Sequence, residues 1–430
     1  MKTIGQIKKP VYLAIIVIVI VAVAGAGAYF YLSDSGSQSQ EDEPIKFGSE
    51  TFFSGEYAPL GPPTRAITDL IVEEVNQDPP LGREIERLWI RTESTKEGTI
   101  EAAKKRIEVD GIEIYNGVAQ TAYDAQRDYL MEKNVFLPTP YGGGIDQEWG
   151  GTPEEPVFSS QPPDQFIGLA IVSAMKEALS EEVESISIVT DKAKAHIYSV
   201  EMIEDAAEEA NLEIVEKEEV DEETSNFSST IDRVMEEDPD AVALVLGSKP
   251  GGLYLKQAWE KGYKDIPYVG DTELGMQKVL ELAGDGASNL YVPEMKAEGP
   301  GFDAYNEAWE ESDLTDDDDV NQNLYTALHW DILIPTFLAV EEAGTTDKED
   351  MAEAIREVTS PPGETVYTYS EGIEELKNGN DINFDGATGP VEFDEYGNCT
   401  GSWALSGVED GEFTDVTMIS AEDLNKYNPT

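Results

Sequence analysis

The sequence predicts an α/β fold made of two doubly wound, Rossmann-like lobes joined by a hinge and preceded by one apolar helix. Two observations carry the lobes. Apolar strand patterns alternate with amphipathic helix patterns in two blocks, residues 45–144 and 166–270, on either side of a Pro- and Gly-rich connection at 150–163. A length of 430 residues also gives each block enough chain to bury its own core. The third observation, an almost uninterrupted apolar run at 11–32, accounts for the leading helix.

That run has about the twenty residues a membrane-spanning helix needs. Lys2, Lys8 and Lys9 precede it, and Asp34, Glu41, Asp42 and Glu43 follow it, which orients the start of the chain inside and the remainder outside. The segment reads as an uncleaved membrane anchor. A secretory signal is the rival, because Ala24-Gly25-Ala26 and Ala26-Gly27-Ala28 resemble cleavage sites, but the run is long for a signal. Residues 33–44 form a polar linker. The first block then reads as a strand at 45–50, a loop at Ser54-Gly55, a helix at 64–76 and a strand at 84–91. Thr99 is expected to cap the next helix.

From Ile112 to Gly144 the pattern is strand, loop, helix, strand, loop. The Asn116-Gly117 breaker ends the first strand, Thr121 opens the helix, 135–137 is buried, and Tyr141 leads into three glycines. Loops at the carboxyl ends of parallel strands are where open α/β sheets bind ligands. In the second block, helices are expected at 166–179, 199–210, 230–236 and 253–261, and strands at 186–190, 212–220, 241–247 and 267–270. Residues 321–344 form a long apolar helix interrupted by Pro335. The tail, 388–408, alternates like a hairpin about Tyr396-Gly397-Asn398.

Charge and rare residues exclude several functions. With 88 acidic and 29 basic residues the net charge is −59, which opposes binding to nucleic acid. A 40% hydrophobic content argues against disorder, and the acidity reads as a halophile-style surface. Cys399 is the lone cysteine, and the two histidines, His196 and His329, have no partners at ligand spacing. No catalytic residue, metal site or cofactor is expected. Asp316–Asp319 lacks the Gly and closing Glu of a calcium loop.

Several motifs, in order, resemble the branched-chain amino-acid-binding proteins (leucine/isoleucine/valine-binding) of ABC importers, which have the type I periplasmic-binding fold. They are FFSGEYAPLG from Phe52, NGVAQTAYDA from Asn116, FLPTPYGGG from Phe136, LYLKQAWEKGY from Leu253 and GATGPVEFDEYGN from Gly386. The likeness runs from Ile45 to about Phe413 and suggests a haloarchaeal-like member. It implies lobe 1 from 45–158 with 292–385, and lobe 2 from 159–291 with 386–430. It also implies ligand contacts at Ser54 and Tyr57 in the first-strand loop, and at Thr121, Tyr141, Gly142 and Gly143 in the next two. Contacts in the second lobe fall at His196, Ser248, Lys249, Asp271 and Thr272. The family's small residue has become Tyr141, a hydroxyl has become Gly143, and the acid for the ligand's ammonium aligns on Thr272.

Each position also has a plainer reading. Thr121 can cap its helix, Tyr141 can pack within a lobe, Lys249 can be solvated and Asp271 can end a strand. His196 is expected in a loop at a helix start. The resemblance implies a non-enzymatic, extracellular solute-binding protein, held in the membrane by 11–32 with a monomeric ectodomain, that delivers a small polar solute to an ABC permease. A membrane-anchored sensing subunit is the alternative. The departure at Thr272 favours an amide or another flat polar solute over an aliphatic amino acid.

Overall fold

The computed structural model describes residues 43–430 apart from 55–57, 93–95, 118–119, 143–147, 180–182, 313, 315–319, 421–422, 425 and 429–430; of Gln120, Thr121 and Lys194 it describes the backbone alone. The chain divides into two units, Met1–Pro44 and Ile45–Thr430, and every element named below belongs to the second. The anchor expected at 11–32 and the linker lie outside the described residues. Among those described, no helix is long and apolar enough to cross a membrane.

The first sheet is built around β1 (Ile45–Phe52), whose residues are nearly all buried because parallel strands flank it on both sides. The helix α1 (Gly61–Val75) leads to β2 (Ile85–Thr92), and α2 (Lys96–Lys105) leads to β3 (Ile114–Asn116). These strands lie in the order β2-β1-β3. After α3 (Gln120–Met131), the pair β4 (Leu137–Thr139) and β5 (Val157–Ser159) extends the layer through a bridge from Phe136 to Ile114. Thr99 does not cap α2, which starts three residues earlier. Its hydroxyl is instead buried 2.6 Å from that of Thr92.

The second sheet collects α4 (Gln165–Ser173), β6 (Ser185–Thr190), α5 (Lys194–Glu209), β7 (Glu213–Glu219), α6 (Ser228–Glu236), β8 (Ala241–Val245), α7 (Ser248–Lys261), β9 (Tyr268–Gly270), α8 (Gln277–Ala283) and β10 (Leu290–Met295). The chain then returns to the first core through α9 (Pro300–Glu310), α10 (Leu324–Ala343) and α11 (Lys348–Glu357). The helix α10 is apolar on all sides because it is buried along most of its length, and it continues through Pro335. A small sheet of β11 (Glu364–Val366), β12 (Ile382–Gly386) and β13 (Gly389–Pro390) follows, with α12 (Tyr369–Asn378) between its first two strands.

The expected hairpin at 388–408 is replaced by an irregular crossing at 391–402. The hairpin lies later, between β14 (Trp403–Glu409) and β15 (Glu412–Ile419). Its turn is Asp410-Gly411, with φ of 53° and 83°, the doubly positive pair of a two-residue hairpin loop. The second sheet therefore has seven strands in the order β15-β14-β10-β9-β8-β6-β7, with β14 and β15 antiparallel at one edge.

The chain passes between the two sheets three times, near 160–164, 296–299 and 391–402. The crossings are bonded to one another. Ser159 N–H donates to Gly397 O (2.8 Å), Lys296 N–H to Ser402 O (2.8 Å), and the Cys399 thiol to Ser160 O (3.0 Å).

Candidate functional site

The strands β6, β8 and β9 are neighbours in the second sheet and run parallel, so the loops after them meet at one edge. Asp191 follows β6 directly. Its Oδ1 accepts from His196 Nδ1 (2.6 Å) and Ala193 N–H (3.0 Å), and its Oδ2 accepts from Gly247 N–H (3.4 Å). Glu273 Oε2 accepts from Ser248 N–H (3.3 Å). Asp271 Oδ1 accepts from Glu273 N–H (3.1 Å) and the Thr272 hydroxyl (3.3 Å). Three loops are thus tied into one wall by carboxylates. His196 sits in the first turn of α5 and not in a loop before it.

Asp191, His196 and Asp271 are 2%, 4% and 3% exposed, so their charges act on one another through little water. Burial alone would lower the His196 pKa. The hydrogen bond to Asp191 and the charges of Asp271 and Glu273 outweigh it and raise the pKa above the ordinary 6.5. Burial likewise opposes ionisation of Asp191, but the bonds from His196 and from the Ala193 N–H hold its carboxyl below the usual range. Asp271 moves the other way. Burial pushes it up, and the nearby His196 charge offsets only part of that. Asp191 and His196 therefore form the ion pair, and Asp271 stands in its field.

The other wall is built from the first sheet and from α10. Tyr141 is 5% exposed, with its ring centroid 5.8 Å from Phe52, 5.8 Å from Tyr325 and 5.7 Å from His329. Burial first, then the charge of Glu50, raises its hydroxyl pKa. Its closest ring neighbours are other aromatics of the same wall. His329 is fully buried, donates from Nδ1 to Tyr325 O (2.6 Å), and is pushed down by burial to about 4, so it is neutral. Gly142 has a definite steric reason: a Cβ there would lie 1.9 Å from Gln161 O. Its close approach is to the first crossing, and its N–H donates to Gln161 Oε1 (3.1 Å).

Beside the first two crossings lies a cavity of about 390 Å3, which Thr272 of one wall and Tyr325 of the other reach, whereas Asp191, His196, Asp271 and Tyr141 do not line it. Thr272, Asp164, Glu294, Tyr325 and Trp403 line it, together with Gln161. A hydroxyl, two carboxylates and two aromatic rings suit recognition of a small polar molecule. A second cavity, of about 470 Å3, is lined by Arg356, Glu357 and Asp381 among others and shares no residue with either wall.

Of the residues anticipated from sequence, His196, Ser248, Asp271 and Thr272 come together in one wall, and Tyr141 and Gly142 lie in the other. Ser54 and Lys249 are exposed, Lys249 as the second residue of α7. Thr121 is the second residue of α3, and its side chain is outside the described residues, as are Tyr57 and Gly143. Sequence reasoning missed Asp191, Asp164, Glu294, Tyr325 and Trp403. Asp191 carried one usable signal, an acid ending the apolar strand 186–190 just before a helix that contains a histidine. The other four carried none.

A family model described as periplasmic binding protein matches residues 44–394. No curated protein gives a significant match. Among solved structures, a leucine-binding protein from Thermotoga maritima is similar at 20% identity and a TM-score of 0.61, covering 88% of this chain and 99% of that one. A branched-chain amino acid transporter substrate-binding protein from Streptococcus pneumoniae, in complex with isoleucine, is similar at 18% identity and a TM-score of 0.60, covering 86% and 99%. An ABC-transporter solute-binding protein from Rhodopseudomonas palustris, in complex with 3,4-dihydroxybenzoic acid, is similar at 17% and 0.60, covering 88% and 98%. The α/β architecture is thus the type I periplasmic-binding fold. The chain belongs to the periplasmic binding protein family.

Proposed function

We propose that the protein is the extracytoplasmic solute-binding component of an ABC importer, which captures a small polar solute between two lobes and delivers it to a permease. The observation that carries this reading is the cavity of about 390 Å3 lined by Thr272, Asp164, Glu294, Tyr325 and Trp403, with Thr272 contributed by the wall of Asp191, His196 and Asp271 and Tyr325 by the aromatic wall. Lobe 1 would comprise 45–158 with 292–385, lobe 2 would comprise 159–291 with 386–430, and the three bonded crossings would form the hinge. The apolar run at 11–32 supports a single-pass membrane anchor with a monomeric domain outside, and the −59 charge supports a halophilic setting.

For the solute, a planar polar molecule, an amide before an amino acid or a related carboxylate, fits the flat faces of Tyr325 and Trp403 and the Thr272 hydroxyl. Ser54, Tyr57, Thr121, Tyr141, Gly142, Gly143, His196, Ser248, Lys249, Asp271 and Thr272 remain the contact set to vary. Thermal-shift screening of the full chain at high salt, with amides, amino acids and aromatic carboxylates, tests the function. One or a few solutes should raise the melting temperature, as mass action requires of a ligand bound only by the folded state. A flat response across the panel would remove the transport reading. Tight leucine binding abolished by Asp271→Asn and unaffected by Tyr141→Ala would overturn the preference for an amide.

A further inference from the structure

The strands β1 and β2 end side by side, with Phe52 paired to Thr92. Phe53 extends β1 by one residue, its N–H donating to Thr92 O (3.1 Å), and the residue is 42% exposed. Two guanidinium groups approach its ring. The Arg91 carbon is 4.5 Å from the ring centroid, and that of Arg65, from the first half of α1, is 4.6 Å away. Arg65 is also held by a bond from Nη1 to Thr51 Oγ1 (3.3 Å). Two like charges therefore share one aromatic ring. Burial and the neighbouring Arg91 both lower the Arg65 pKa, although Asp69 pulls it back.

Among the described residues neither arginine meets a carboxylate, which sets the two apart from the other arginines. Arg83 meets Glu113, Arg87 meets Asp69 (2.6 Å), Arg106 meets Asp110, and Arg127 meets Glu155. Arg233 meets Glu218, and Arg356 donates to the carbonyls of Gly151, Phe393, Asp394 and Glu395. Among the described residues, Arg65 and Arg91 alone of the arginines have neither arrangement. Asp69, whose charge acts on Arg65, is already engaged by Arg87.

A guanidinium over a ring keeps its N–H edges free, and those edges form the planar fork that matches an oxyanion. We propose that Arg65 and Arg91, held on the Phe53 ring at the end of β1 and β2, form a receptor for one small oxyanion: a carboxylate, sulfate or phosphate group. The bound anion would relieve the repulsion between the two cations. In a molecule whose net field repels anions, it would also supply a local positive site. The site is separate from the cavity beside the crossings and stands whether or not the importer reading does.

Isothermal calorimetry on the full chain at constant ionic strength tests it, with sodium sulfate, inorganic phosphate and acetate as probes. Wild-type protein should bind at least one of them at a single site. Arg65→Met and Arg91→Met should each weaken binding roughly tenfold or more, the loss expected for a charge-assisted hydrogen bond. Arg91→Lys, which keeps the charge but loses the fork, should fall between. Binding of acetate alone would identify an organic carboxylate as the natural occupant, and binding of sulfate or phosphate an inorganic one. Absence of binding by the wild type, or equal affinity in the double Met variant, would overturn the proposal. Arg65 also bonds Thr51, so if Arg65→Met does not fold, the two Arg91 variants decide the matter.

Discussion

His196 and Asp191 stand 2.6 Å apart with almost no exposure, and each shifts the ionisation of the other. His196 holds its proton more tightly in the folded chain than in the unfolded one. The pair therefore stabilises the fold fully below about pH 6.5, and that contribution is lost as pH rises through the higher folded value. Asp191 is shifted down, so its contribution is present above its ordinary 3.8 and is lost as pH falls through the lower folded value. Breaking a buried pair on one side typically costs about 3 kcal/mol. We expect His196→Gln to lower stability by about that much near pH 6, and the gap from wild type to narrow by about pH 9. Urea melts of both proteins across that range measure it. A gap that stays constant with pH would assign His196 to packing alone.

At the scale of elements, α10 is fastened to the turn between β12 and β13 by one side chain. Asp331 is fully buried and accepts from Ala387 N–H (2.5 Å), Thr388 N–H (3.0 Å) and the Thr388 hydroxyl (2.6 Å), at the turn between β12 and β13. Burial pushes its carboxyl up to about 7, and the three donors offset only part of that. A carboxyl raised on folding favours the folded state while protonated. Its contribution therefore weakens as pH rises from 3.8 to about 7. Asp331→Ala would leave three buried donors without a partner and should cost about 3 kcal/mol. Asp331→Asn should cost less and flatten the pH dependence in that window. Denaturant melts at pH 5 and pH 8 would read both effects. An Ala variant within about 0.5 kcal/mol of wild type would show that α10 is held by its apolar packing alone.

For the whole molecule, the net charge of −59 sets the dependence on solvent. Carboxylates spread over the surface repel one another across a screening length of about 10 Å at 0.1 M salt, but only about 3 Å at 1 M. The compact state brings those charges closer than the unfolded chain does, so screening should favour it. We expect the melting temperature of the full chain to rise steadily between 0.1 M and 3 M salt. Equal values at both ends, followed by circular dichroism, would separate this protein's acidity from any need for salt. Many of the ion pairs are exposed, such as Lys192 with Asp221 and Lys217 with Glu204, and contribute little that could offset the repulsion.

The alternation of strands and helices was legible from residue order, because buried faces recur at fixed spacings within a few residues of one another. That local rule located β1, β3, β6, β8 and α10 to within a few positions, and the ordered motifs from Phe52 to Asn398 pointed to the family. Asp410-Gly411 was equally local and was passed over for Tyr396-Gly397-Asn398, whose glycine does turn the chain (φ 78°) but within a crossing. Of the residues lining the cavity only Thr272 was anticipated, through the resemblance. Thr272, Tyr325 and Trp403 lie far apart in the chain and meet only because β9 and β10 pair, β14 joins β10, and the crossings return α10 beside them. The meeting of Arg65 and Arg91 on Phe53 likewise needs the parallel register of β1 with β2. Strand order and register arise from long-range pairing, and no periodicity within a segment encodes which distant segment it will face.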